Sequence, residues 1–545
     1  MKEVYDIING ILVVPQQRRM FGAQISIYKG KIVDIKEDDT VIGPYILPGF
    51  VDSHVHIESS MLIPSRFAQM AVQHGTVAVV TDPHEVANVA GESGIRFMID
   101  DARSVPMKFF FGLPSCVPAS PMEKSGSVIT SEDVGRMIVE DDFYFLAEMM
   151  NFPGVIYGDN DVIGKLESTK KAGKPIDGHA PGLEGNNLVK YVNAGISTDH
   201  ECSTIQEAIK KIELGQKIQI REGSAAKNFE NLAPLIKDHS PSIMFCTDDC
   251  HPDYLAMGHI NKIVARAISK GYDLYDVLKI ACTNPVEHYS LPVGQLRVGD
   301  DADFIITEDL QNFNITNTYI KGEKVFEKGS VMFKFNSVSQ PEYAFRKSFP
   351  VEGLEIIAQR NRVNVIQAID GELITKWSTE DIWVQPNSAL PSNIEKDLLK
   401  IVLLDRYSDT PPAIAFIRGF GIKQGALAAS IAHDSHHLIA IGCDDRSIQT
   451  ALEWLIENKG GMCFANRDEI NGLRLPFFGL MTDSLGAEVK DEYTRLNKQV
   501  KNAGCTLHSP FMTASFMALT VIPELKINHN GLFDVNKFKS IPLFQ

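Results

Sequence analysis

Hydrophobic and polar residues follow three rhythms along the chain. Over residues 1–45 they alternate in short runs, as in 4–14, 24–28 and 32–35, broken by turn residues such as Lys29-Gly30, and short strands are predicted. From about Ile46 the pattern changes to apolar runs separated by amphipathic stretches such as 65–73 and 204–214. The apolar runs give eight strand candidates: 47–52, 77–81, 108–111, 143–147, 175–178, 195–198, 217–221 and 242–247. Strands that alternate with helices predict βα units around a parallel sheet, and eight of them over about 240 residues fit a TIM-like (β/α)8 barrel. After about residue 290 the strand-and-turn style returns in 302–306 and 319–322.

The layout this predicts is α/β. Residues 1–45 together with 290–340 form a small β-sandwich domain from both flanks of the barrel. Residues 46–289 are the barrel, and 345–545 a separate C-terminal α/β (α+β) domain. A length of 545 residues is too great for one ordinary domain and agrees with two or three.

Composition narrows the function. A formal net charge of -16 excludes a general nucleic-acid or anionic-membrane binder, which needs a basic face, and a small-molecule substrate is expected instead. The eight cysteines are scattered with no CxxC pair, as free thiols in a reducing cytoplasm would be. The first fifteen residues lack a basic leader and a cleavage site, and no apolar run reaches the roughly 20 residues of a membrane span, so a cytoplasmic protein is expected.

The strongest local signal is Pro48-Gly49-Phe50-Val51-Asp52-Ser53-His54-Val55-His56. Side chains two apart on a strand point the same way, so His54 and His56 can converge on one metal ion at the C-terminal end of the first barrel strand. The other strands add to it: strand four ends in Glu148, strand five in His179, strand six in His200 and strand eight in Asp248. Five strands that deliver imidazoles or carboxylates to one rim read as a metal site, because buried ionisable groups are costly unless paired or metal-bound.

With its HxH, two further histidines and a final aspartate, the pattern resembles the amidohydrolase superfamily. Many members of that superfamily bridge two metals with a carboxylated lysine on strand four. Here Glu148 stands at that place, and this substitution resembles the bacterial adenine deaminases. So do His56-Ile57-Glu58-Ser59-Ser60, Thr81-Asp82-Pro83-His84-Glu85, Asp177-Gly178-His179-Ala180-Pro181-Gly182, Arg221-Glu222-Gly223-Ser224, Thr247-Asp248-Asp249, Phe511-Met512-Thr513-Ala514-Ser515-Phe516 and Pro523-Glu524-Leu525-Lys526.

The resemblance implies hydrolytic deamination of adenine by an enzyme with two divalent ions, manganese or iron with zinc as a third option. One ion is expected on His54, His56 and Asp248 and the other on His179 and His200, with Glu148 between them. Asp248 is expected to carry a proton from the attacking water to the leaving amine. His84 and Glu85 are expected to contact substrate or move a proton, and Arg221 and Ser224 to bind substrate, with Asp249 orienting a ligand. A homo-oligomer is expected as well. The competing readings are a cyclic-amide hydrolase of the same superfamily and an inactive scaffold.

Three other signals carry less. His56-Ile57-Glu58 matches the HxE of zinc nucleoside deaminases, but the PCxxC they need is absent. Gly158 to Lys165 has the outline of a P-loop with one residue too many and Leu166 where Ser or Thr belongs. His433-Asp434-Ser435-His436-His437 reads as part of an active-site wall before it reads as a metal site.

Overall fold

The computed structural model describes residues 6–224, 226–335, 338–350, 353–383, 385 and 387–545. The chain forms two compact units. The first gathers residues 1–83, 98–115 and 130–338; the second gathers 84–97, 116–129 and 339–545.

In the first unit the strands Phe50–His56, Thr76–Thr81, Lys108–Leu113, Phe143–Met149 and Ile176–Gly178 pair in parallel in chain order. Thr198–Asp199, Lys217–Arg221 and Ile243–Cys246 form a second parallel set. The two sets are joined where the Ser197 N–H donates to the Ile176 carbonyl at 2.8 Å. At the other end Asp248–Asp249 pairs back onto the first strand, Asp248 opposite Val55. The parallel sheet therefore curls and closes as a TIM-like barrel. Its strands are buried on both faces, Thr76–Thr81 at every position, so they read in sequence as apolar runs and not as alternation.

Two barrel strands differ from expectation for local reasons. The sixth is only Thr198–Asp199, and the eighth is split into Ile243–Cys246 and Asp248–Asp249. Asp248 adopts a left-handed backbone, φ 56°, which re-aims its side chain at the end of the strand. The expected stretch 204–214 is the helix Ile205–Glu213, started by Thr204, whose hydroxyl accepts the Glu207 N–H.

Both flanks of the barrel build one sheet of eight strands. Tyr45–Pro48 is its seam, paired in parallel with Asp6–Val14 and antiparallel with Phe304–Thr307. That strand is bonded on both edges, so one ladder runs through the strands of both flanks. Leu12, Ile25, Ile32, Ile46 and Phe304 form its core.

The second unit carries another eight-stranded sheet, running from Lys376–Asp381 at one edge to Glu469–Arg474 at the other. The helix Asp445–Glu457 buries Ile448, Ala451, Leu452 and Leu455 against Ala426, Ala428, Leu438 and Ala440 of that sheet. Residues 84–97 and 116–129 belong to this unit. The Gly126 N–H donates to the Asn88 carbonyl at 2.7 Å, and the Phe97 ring stacks on Phe477 with centroids 5.4 Å apart. No helix among the described residues is long and apolar enough to cross a membrane.

Candidate metal centre

The strand Phe50–His56 places His54 and His56 on one face, both buried. His56 Nε2 lies 3.0 Å from Asp248 Oδ1 and 3.3 Å from Glu148 Oε1. The other oxygen of Glu148, Oε2, lies 2.7 Å from His179 Nδ1 and 3.2 Å from His200 Nε2. One carboxylate thus faces His56 with one oxygen and His179 and His200 with the other. The ring of His54 stacks on that of His200, with centroids 4.1 Å apart. The structure brings all six predicted ligands together at the C-terminal ends of the barrel strands.

The donor chemistry fits divalent metal. His56 Nδ1 is 3.0 Å from the Asp82 carbonyl, which can only accept, so Nδ1 carries the proton and the Nε2 lone pair points into the cluster. Both ring nitrogens of buried His54, and Nδ1 of His200, have no hydrogen-bond partner among the described residues. Burial disfavours a charged imidazole, yet Glu201 and Glu148 carry His179 up to about 9. Burial likewise opposes ionisation of Glu148, but His179 and His200 hold it well below the usual carboxylate range. The cluster therefore attracts positive charge. His54 with His56 and Asp248, His54 with Glu148 and His200, and His179 with His200 and Glu201 each bring ligand atoms within 4.8 Å of one another.

A second layer fixes these ligands. Asp52 accepts the Thr247 N–H at 3.1 Å and the Thr247 hydroxyl at 2.5 Å, and so pins the residue before left-handed Asp248 to the strand that carries His54 and His56. His259 Nε2 lies 3.0 Å from Asp52 Oδ2, the oxygen that also accepts the Thr247 hydroxyl. Asp199 does the same for strands five and six: it accepts the Ala180 and Glu201 N–H groups at 3.1 and 2.8 Å, and buried Lys211 neutralises it at 3.0 Å.

The remaining predicted residues are placed as follows. Arg221 Nη1 donates to Asp248 Oδ2 at 2.5 Å and also to Glu201, so its guanidinium is shared by two carboxylates, one buried and one partly buried. The Ser224 hydroxyl accepts the His251 N–H at 2.8 Å. Asp249 accepts the Ser59 hydroxyl at 2.5 Å. His84 and Glu85 lie in the second unit, with His84 Nε2 3.7 Å from Glu85 Oε1. Glu85 is gripped there by His433 and His436. Glu201, 3.6 Å from His200 Nε2 and 3.8 Å from His179 Nδ1, was not among the predicted residues. Its one sequence signal is its place directly after His200.

A closed parallel barrel with imidazoles and carboxylates gathered at its strand ends has the architecture of an amidohydrolase, and residues 45–325 match the model of the amidohydrolase family. Residues 372–539 match the adenine deaminase C-terminal domain. An adenine deaminase of Methanosarcina acetivorans is 49% identical over 546 residues, covering 98% of this chain and 99% of the relative. Adenine deaminases of Sulfurovum sp. and Borreliella burgdorferi are 49% and 47% identical, each over 96% of this chain and 97% and 96% of their own lengths. The chain belongs to the adenine deaminase family of amidohydrolases.

The second layer makes a prediction. Asp52→Ala removes both anchors of Thr247, and divalent-metal affinity should fall by about 10- to 100-fold. Metal titration of the apoprotein, with circular dichroism to verify folding, measures it; unchanged affinity would mean that the tie to Thr247 does not support the site.

Proposed function

We propose that this chain hydrolyses adenine to hypoxanthine and ammonia. The observation that carries the reading is the combination of near-full-length identity to adenine deaminases with a carboxylate, Glu148, placed between His56 on one side and His179 and His200 on the other. We assign two divalent ions to the site, manganese or iron, with His54, His56 and Asp248 on one side, His179 and His200 on the other, and Glu148 shared. When bound, such ions supply the Lewis acidity that brings water near ionisation at neutral pH.

The chain's own residues do the rest. Arg221 takes Asp248 Oδ2, which leaves Oδ1 turned toward His56 and His54. Burial works against a charged Asp248, but Arg221, His54 and His56 hold it well below the usual carboxylate range, so it is ionised, the form in which a carboxylate can act as a base. As the water oxygen bonds to C6 of the purine, Asp248 takes a proton from that water. As the C6–N6 bond breaks, it passes the proton to the departing amine, and ammonia leaves. We assign Arg221 to orienting Asp248 and Ser224 to holding its loop. His84 and Glu85, which follow the strand Thr76–Thr81 within four residues, are assigned to contact with the purine or to proton transfer at its ring.

Asp248→Asn should lower kcat for adenine by about 10²–10⁴-fold, as loss of a general acid–base does, while the protein stays folded. Near-normal turnover would move the proton transfer to another residue.

Substrate class is tested by ammonia release from adenine, adenosine, AMP and dihydrouracil at equal metal loading. With a net charge of -16 and no phosphate cradle among the rim motifs, free adenine should show the highest kcat/KM. Adenosine equal to or above adenine would point to a nucleoside deaminase, and activity on dihydrouracil alone to a cyclic-amide hydrolase.

A further inference from the structure

Within the second unit, three buried side chains from distant parts of the sequence meet. His433 Nδ1 lies 2.5 Å from Glu85 Oε1, and His436 Nε2 bonds Glu85 Oε2. Glu85 is 2% exposed, His433 4% and His436 1%. A carboxylate removed from water this completely is stable as an anion only if its oxygens receive donors.

The geometry fixes which nitrogen of His436 carries the proton. The Ala432 N–H donates to His436 Nδ1 at 3.3 Å, so that nitrogen is an acceptor and Nε2 is the N–H that faces Glu85. Arg406, fully buried, donates to the His436 carbonyl at 3.0 Å and holds the turn that presents the ring. The His433 ring is set by its stack on Phe516, with centroids 4.4 Å apart and planes 18° apart. Each imidazole is therefore locked by a separate contact before it reaches Glu85. A carboxylate offers about four acceptor positions, and these bonds take two of them, with His84 Nε2 3.7 Å from Oε1.

We propose that His433 and His436 are positioning residues that hold the Glu85 carboxylate, ionised and in one orientation, for its contact with the purine. The inference rests on the assignment of Glu85 to the substrate made above. Burial opposes ionisation of Glu85, and His433, His436 and His84 outweigh it. Asp434, by contrast, is pushed up to about 7, by burial first and by the charges of Glu85 and Glu123 in part. One ligand atom from each of Glu85, His433 and His436 lies within 4.8 Å of the others, as a metal site would need. The Ala432 N–H argues for the hydrogen-bonded clamp instead, because it leaves His436 Nε2 without a free lone pair.

Paired variants of similar volume test the clamp. His433→Asn and His436→Gln keep an N–H donor near the original position; His433→Leu and His436→Met do not. The Leu and Met variants should lose about 10- to 100-fold in kcat/KM for adenine, the range for removing a hydrogen bond to a charged group. The Asn and Gln variants should recover most of that loss, and all four should keep the metal content of the wild type. Equal activity in both members of a pair overturns the clamp. So does a further metal equivalent in the wild type that His436→Gln loses. Where the Leu or Met variant fails to fold, the Asn and Gln variants decide: activity near wild type supports the clamp, and loss as deep as in Glu85→Gln overturns it. A wild type that releases no ammonia from adenine overturns the functional reading, and the inference with it.

Discussion

The whole barrel is organised around the cost of keeping charge out of water. Glu148 and Asp248 are 3% and 5% exposed, and an ionised carboxylate at that depth is costly unless cations or donors surround it. Four imidazoles converge on the two carboxylates, and a guanidinium closes the far side of Asp248. Against the cost of burial, Glu148 and Glu201 draw His179 and His200 toward protonation, whereas burial and the neighbouring His200 hold His54 down. Bound metal cations would replace those protons and engage the ring nitrogens of His54, which make no hydrogen bond among the described residues. The second layer follows from the first. Asp52 bonds Thr247, and Lys211 with Asp199 ties the loops after strands five and six, because ligands on separate strands are useful only if those strands are locked together.

Much of this was legible in the sequence. Alternation along a strand makes His54 and His56 partners whatever the rest of the fold, and apolar runs that end in His, Glu or Asp mark the rim of a parallel barrel. Glu148 was readable because no lysine stands at the end of the fourth strand. What escaped was set by tertiary contact. Arg221 ends the seventh barrel strand and is expected from its place at the rim to meet substrate; that its guanidinium is engaged by Asp248 and Glu201 is a pairing only coordinates reveal. Asp52 reads as part of a motif, but its bond to Thr247 spans 195 positions. The continuous flanking sheet was hidden for a related reason: nothing in Tyr45–Pro48 announces that it is bonded on both edges.

The second unit shows the same limit and the same physics. Residues 84–97 and 116–129 interrupt the barrel segment in sequence but pack with residues 339–545. Their polar groups account for several buried side chains of the C-terminal part. Glu123 receives the Ser435 hydroxyl at 2.8 Å and that of Thr520, and Lys124 pairs with Asp405 at 2.6 Å. The histidine-rich run 433–437 looked ambiguous because its partner, Glu85, lies 348 residues away from His433. Once the pair is seen, the run supplies donors to one carboxylate as the barrel strands supply ligands to another.

The central claim is that Glu148 is shared between two metal ions. Crystals of the manganese-loaded wild type, measured at the manganese absorption edge, test it most directly. The account predicts two anomalous peaks, one beside each oxygen of Glu148, the first among His54, His56 and Asp248 and the second among His179 and His200. A single peak, or peaks remote from Glu148, would contradict it.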